Sequence, residues 1–186
     1  DRLRSRGLGD VYKRQSNNGI FPFVDRSLVN GTAQDPDRIF SPEVLFALSD
    51  SQRGELFEEY FDPSLAPNMV FRMETDLLEQ TIYGGTGTGG NLDDYRCRSN
   101  WISSGSARYF YKYSDMTESG RIENTMIPLL RLGEMYLIAA ESQSNSLANG
   151  VSYINTLRKN RGVSNLQTLT TTLLQYEYIR EVYGEG

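Results

Sequence analysis

The chain has 186 residues, with 19 Lys and Arg against 24 Asp and Glu and a formal net charge of −5, so it offers no basic stripe that could track nucleic-acid phosphates. Histidine is absent and cysteine occurs once, which removes the Ser-His-Asp and Cys-His nucleophile arrangements, an internal disulfide and the usual zinc ligand sets. No cofactor and no metal site is expected, and no apolar run is long enough to span a bilayer.

Residues 1–15 are basic and unpatterned, and Gly7–Gln15 (GLGDVYKRQ) is similar to a translated sequencing-adapter remnant; this segment is set aside as a non-native leader. Residues 16–124 are predicted to form an irregular, loop-rich lobe with short strands. Turn signals at Asn30-Gly31 and Asp35-Pro36-Asp37 punctuate its start, and the proline between Asp35 and Asp37 favours a turn over a calcium loop. Glu43–Leu48 reads as a short buried strand. Ser49 or Asp50 then caps a helix running to about Tyr60, with Leu56, Phe57 and Tyr60 on one face. Gly85–Gly90 fits a GxGxxG pattern, but no helical stripe follows to aim amides at phosphate, so a flexible surface loop is expected. Cys97 is read as a half-buried loop residue.

Residues 125–186 change texture and are predicted helical. Pro128 suits a first helical turn, and Leu129, Leu132, Met135, Tyr136 and Ala139 recur at helical spacing. Ala139-Ala140 allows a second helix to approach closely. That helix carries Val151, Ile154, Leu157 and Arg158 and closes at Gly162. Thr168–Thr172 offers N-caps for a third helix through Leu173, Leu174, Ile179 and Val182. The chain is expected to be truncated after Gly184-Glu185-Gly186. The fold class expected is mainly α: a tetratricopeptide-like helical hairpin plus a further helix, beside the loop-rich lobe. The hairpin spans about 34 residues, the length of one such unit, and Leu132-Gly133-x-x-Tyr136 matches the first helix of that repeat.

The run Ile127-Pro-Leu-Leu-Arg-Leu-Gly-Glu-Met-Tyr-Leu-Ile-Ala-Ala-Glu141 resembles the signature helix of the SusD/RagB family, an I-P-L-x-R-x-x-E-x-Y-L-x-x-A-E pattern. Tyr153-Ile-Asn-Thr-Leu-Arg158 and Arg161-Gly162 resemble the family's IN-x-x-R and RG segment. Tyr176–Gly186 resembles its ER-x-x-E-x-x-GEG segment, with Tyr178 in place of the usual arginine. Ser41–Phe46 and Arg108–Tyr113 are similar but less distinctive. The resemblance implies a mostly helical fold built on tetratricopeptide-like pairs. It also implies a surface-exposed outer-membrane lipoprotein, anchored by lipid on an N-terminus outside this sequence. Such a protein captures oligosaccharides, polysaccharides or, in some members, peptides and delivers them to a TonB-dependent, SusC-like transporter.

The motif charges are open to two readings. Glu134 and Glu141 share a helix face, and a glycosidase would need two carboxyls flanking one bond across a cleft. Pairing with Arg158 and Arg161 of the next helix is the favoured expectation, so no catalytic residue is assigned. Ligand contact is sought in the irregular stretch, where the one tryptophan, Trp101, lies near Tyr95, Arg96 and Asp94. An indole face stacks on the C–H face of a sugar, and Arg and Asp side chains meet its hydroxyls; Trp101 acting as an internal plug is the competing account. The alternative function is a tetratricopeptide-type scaffold that grips a protein segment in its groove.

Overall fold

A computed structural model of the chain describes residues 21–29, 35–84, 87–117, 120–143 and 147–185; the leader 1–15 lies outside these. In chain order the elements are α1 (Arg26–Val29), β1 (Val44–Ser49), α2 (Arg53–Tyr60), a π-helical turn (Leu77–Ile82), α3 (Tyr95–Asn100), β2 (Trp101–Ser104), β3 (Ala107–Phe110), β4 (Met126–Arg131), α4 (Leu132–Glu141), α5 (Leu147–Asn160) and α6 (Thr171–Val182). Among the described residues the architecture is mixed and mostly helical. It has two small two-stranded antiparallel sheets, β1·β4 and β2·β3, and α4 packs on both α5 and α6.

Local chemistry sets the element ends. The Asp94 side chain accepts the Arg96 N–H at 2.9 Å and opens α3, and the Thr170 hydroxyl accepts the Leu173 N–H at 3.2 Å and opens α6, each satisfying an orphan amide of a first turn. Gly162 takes φ +73° just beyond α5, the left-handed conformation that favours glycine after a helix. There a Cβ would run into the Tyr95 ring at 2.5 Å.

Three expectations are corrected. Pro128 does not start a helix: residues 126–131 form β4, with Pro128 opposite Ala47 and Ile127 opposite Leu48 of β1. A residue before proline is driven to extended backbone, and the missing N–H is tolerated on an edge strand. Helix α4 therefore starts at Leu132 and buries Gly133, Leu137 and Ala140, so its buried stripe differs from the one read from Leu129 and Met135. Second, β1 forms as expected, but it is not buried: Phe46 and Leu48 are more than half exposed, because a two-stranded sheet covers only one of its faces. Third, the glycine-rich loop is not free along its length. The Thr88 and Gly89 carbonyls accept hydrogen bonds from Arg180 and Arg158 at 2.9 and 2.7 Å.

Among the described residues most buried apolar side chains fall into three clusters. Leu78, Ile82, Tyr83, Cys97, Trp101 and Phe110 form one. Leu137, Ala140, Ile154, Leu157, Leu169 and Leu174 join α4, α5 and α6 in another. Val24, Val29 and Phe40 form a third, with Tyr95 packed against it. The expected close helix approach is present: a Cβ on Gly150 of α5 would lie 2.5 Å from the Ala140 carbonyl oxygen of α4. The 16–124 and 125–186 segments share the β1·β4 sheet.

Candidate functional site

The three clusters meet around a buried network of charges rather than around an open cleft. Its acidic centre is on α6, where Glu177 and Glu181 lie four residues apart on one face, both fully buried. Arg96 of α3 reaches both: one nitrogen donates to Glu177 and another to Glu181, each at 3.0 Å, and its remaining donors grip Asp94. Arg161 makes a forked pair with Glu43 at 2.7 Å for each oxygen and also reaches Glu181 at 2.7 Å. Arg158 pairs with Glu177 and donates to the Ser164 and Gly89 carbonyls. Arg180 bonds Glu177 at 2.8 Å and the Ile82 carbonyl. Arg131, at the end of β4, bonds Glu185 at 2.6 Å and lies 3.5 Å from Glu181. The Arg161 guanidinium also sits 4.5 Å above the Phe40 ring, a cation–π contact in a desolvated setting.

The electrostatics follow from this geometry. Burial alone would raise the Glu181 carboxyl, but Arg161, Arg131 and Arg96 hold it well below its usual 4.5. Glu177 is likewise lowered against its burial, by Arg96, Arg180 and Arg158. Lys112, buried beside Arg131, is pushed down to about 8 although Glu185 pairs with it. Close packing depends on one glycine here: a Cβ on Gly133 would collide with the Glu181 carboxylate.

Glu177 and Glu181 each accept three arginine N–H bonds, so most of their acceptor capacity is taken up inside the protein. The network also differs from the expected pairing. Arg158 and Arg161 do not turn to Glu134 and Glu141; their partners are Glu177, Glu181 and Glu43. Glu141 instead accepts the Tyr178 hydroxyl at 2.7 Å. Sequence reading missed Glu43, Glu177 and Glu181 as partners, and two spacings carried the signal. Arg158 in the last turn of α5 and Arg161 just past its end stand three apart, while Glu177 and Glu181 stand four apart on α6, so each pair presents one face.

The four residues singled out for ligand contact are not gathered on one surface. Asp94 and Arg96 are each about 1% exposed and bonded to one another and to α6, so their hydrogen-bonding capacity is used inside the protein. Tyr95 is half-buried against the Val24, Val29 and Phe40 cluster, and its N–H donates to the Arg161 carbonyl at 3.0 Å. Trp101 is 3% exposed, with ring centroids of Phe110 and Tyr183 at 5.1 and 4.9 Å. Even so, Trp101 forms part of the wall of an open recess of about 340 Å³, together with Leu92, Asp93, Cys97, Arg98 and Arg108. Arg108 is held there by Glu79 at 2.6 Å, while Arg98 and Asp93 stand 3.6 Å apart at the exposed rim. Cys97 is buried on α3 rather than in a loop, and burial pushes its thiol up to about 12, so it does not act as a thiolate near neutral pH.

Among the described residues no group of three or more His, Cys, Asp or Glu could hold a metal ion, and no helix is long and apolar enough to cross a membrane. What the fold and site define is a mixed, mostly helical protein closed around a buried arginine–carboxylate network. No protein-family model matches the chain, and no curated protein matches it.

Proposed function

We propose that the chain is part of a SusD/RagB-type capture protein, which holds glycans (or peptides) at the bacterial outer surface, without cleaving them, for delivery to a TonB-dependent transporter. In this reading α4 and α5 are a tetratricopeptide-like hairpin with α6 beside it. Anchoring would be through lipid on sequence upstream of this chain. The observation that carries the proposal is convergence. Arg131, Arg158 with Arg161, and Glu177 with Glu181 and Glu185 come from the three separate segments that resemble the family. These charges meet in one buried network. Motif residues that interlock in this way behave as the signature of a packing solution, whereas a chance resemblance would scatter them. The one departure is consistent with this. Tyr178 stands where the family usually has arginine, and its hydroxyl keeps a hydrogen bond to Glu141.

The non-catalytic part rests on the same network, because its carboxylates are sequestered by arginine. Ligand contact is assigned to the recess beside Trp101, where an indole edge, two guanidinium groups and Asp93 offer the apolar and polar contacts a saccharide uses. The test is a glycan and peptide array followed by calorimetry on the hits. Arg98→Ala, at the exposed rim, should weaken binding by roughly 1 kcal/mol or more, the scale of a contributing contact residue. Trp101→Phe, which keeps an aromatic ring in the cluster, should also weaken it while the protein stays folded. Release of new reducing ends from a bound oligosaccharide would overturn the non-catalytic reading. An array with neither glycan nor peptide hits would overturn capture itself.

A further inference from the structure

Strand β4 forms one wall of a recess separate from the one beside Trp101. It holds about 160 Å³, and its apolar lining comes from Ile127, Pro128 and Leu129 of β4, Leu56 of α2 and Tyr113 just after β3. Arg53, the first residue of α2, also lines it. Arg53 and Leu56 stand three apart on that helix and so share a face. Leu56 and Leu129 are 44% and 47% exposed, so the recess can be reached from solvent. A cavity of about 150 Å³ walled by aliphatic and aromatic side chains is large enough for benzene. The space beside β4 is therefore of the size of one aromatic ring with a small substituent.

Two charged residues line this recess, and they are committed differently. Glu185 is engaged elsewhere: Arg131 bonds it at 2.6 Å and Lys112 pairs with it. Arg53 is engaged on one side only. Its Nη2 contacts Asp115 at 3.3 Å and the Ser114 carbonyl at 3.4 Å, and its guanidinium carbon lies 5.9 Å from the centre of the Tyr113 ring. The residue is 2% exposed, and its Nε is buried with no hydrogen-bond partner among the described residues. A buried N–H without an acceptor costs more than an ordinary hydrogen bond returns, so a group that completes it binds with that difference in its favour. Asp115 already supplies the counter-charge of the guanidinium. What Nε lacks is an acceptor rather than an anion, and a carboxylate would add a further negative charge beside Asp115 and Glu185. A carbonyl oxygen attached to an apolar body meets both the wall and the donor.

We infer that the recess between β4 and α2 binds a small ring-bearing molecule with one uncharged acceptor, such as an aromatic amide, ester or ketone, its carbonyl accepting the Arg53 Nε–H. The apolar wall sets the site apart from a saccharide subsite, and it stands whether or not the glycan-capture reading does. The experiment is an NMR titration of the whole chain with benzamide, toluene and benzoate, with thermal melts to show that each variant is folded. Benzamide should bind saturably and roughly fivefold to tenfold more tightly than toluene, the net worth of one hydrogen bond. Benzoate should bind no more tightly than benzamide. Arg53→Met should bring benzamide down to the affinity of toluene while toluene still binds, which separates loss of the donor from loss of the recess. Leu129→Trp, at a wall residue that is nearly half exposed, should block both probes in a folded protein. Benzamide binding unchanged in either folded variant would overturn the site. Benzoate binding about tenfold more tightly than benzamide would overturn the uncharged acceptor. No saturable binding of benzamide would leave water as the occupant of the recess and overturn the inference.

Discussion

The arginines on either side of α6 and Arg53 at the start of α2 are made of the same chemistry, placed under opposite rules. Around Glu177 and Glu181, each guanidinium has its donors directed at acceptors, and the acceptors are shared, so that Glu177 alone is bonded by Arg96, Arg158 and Arg180. At Arg53 the charge is almost as deeply buried, yet it meets one distant carbonyl and one solvent-washed carboxylate. The difference teaches that burial of charge has no fixed energetic meaning. In the first region each partner is the reason its neighbours can be there, whereas in the second the charge has only long contacts, one of them to an exposed carboxylate.

The sharpest way to break this comparison is to remove one shared acceptor. Glu177→Gln leaves three buried guanidinium groups short of a counter-charge, and a loss of about 3–5 kcal/mol is expected, the range for breaking a buried pair from one side. Urea unfolding followed by circular dichroism measures it. A loss below about 1 kcal/mol would mean that the network relaxes around neutral groups and that its saturation is not what holds α6 in place.

Acid provides a graded version of the same test, with opposite signs for the network and for Asp37. Glu177 and Glu181 are depressed in the folded protein, so they contribute stability that is complete above the unfolded carboxylate range. That stability is lost as pH falls from about 4.5 downward through the folded values. Asp37, beside Arg38, is raised by its burial, so its contribution is present at low pH and is lost as pH rises through its folded value. Unfolding free energy measured from about pH 6 to about pH 2 should therefore fall steeply at the acid end. In Glu177→Gln that acid limb should be shallower.

The smallest effect is expected where the buried charge has only long contacts. Arg53→Met keeps an unbranched apolar body in the same place and removes a buried ion with unused donors. In chloride buffer, stability should stay within about 1 kcal/mol of the parent or rise. A loss on the scale of Glu177→Gln would show that the contacts to Ser114 and Asp115 are stronger than their lengths suggest.

Much of the helical half was legible because its signals are local. The caps at Thr170 and Gly162, the stripe of Ile154 and Leu157, and the Ala140 approach are each written within a few residues of where they act. The strand at Met126–Arg131 was not, because its partner, Val44–Ser49, lies about eighty residues earlier, and the helical spacing of Leu129 and Leu132 competed with it. The site was the least legible part. Asp94 and Arg96 have the composition of a sugar-binding pair, and nothing in their neighbourhood announces that Glu177 and Glu181 take up the arginine. Glu134 and Glu141 were matched to Arg158 and Arg161 on helix spacing alone. The deciding term, competition from α6 for the same arginines, appears only when three helices are placed together.

The order of the network along the chain has a consequence for how the protein is made. Glu177 and Glu181 are synthesised after Arg96, Arg131, Arg158 and Arg161, and the pair of Arg161 with Glu43 joins residues 118 positions apart. On a ribosome the arginines therefore emerge before Glu177 and Glu181, with only Glu43 and Asp94 already available to Arg161 and Arg96. The closing turns of α6 and the residues just after them act as a latch: until they arrive, Arg131 and Arg158 lack the carboxylates that pair with them in the folded protein. Compaction of this region is thus tied to its last few residues, and a nascent chain stopped before Glu177 should remain open to protease across α5.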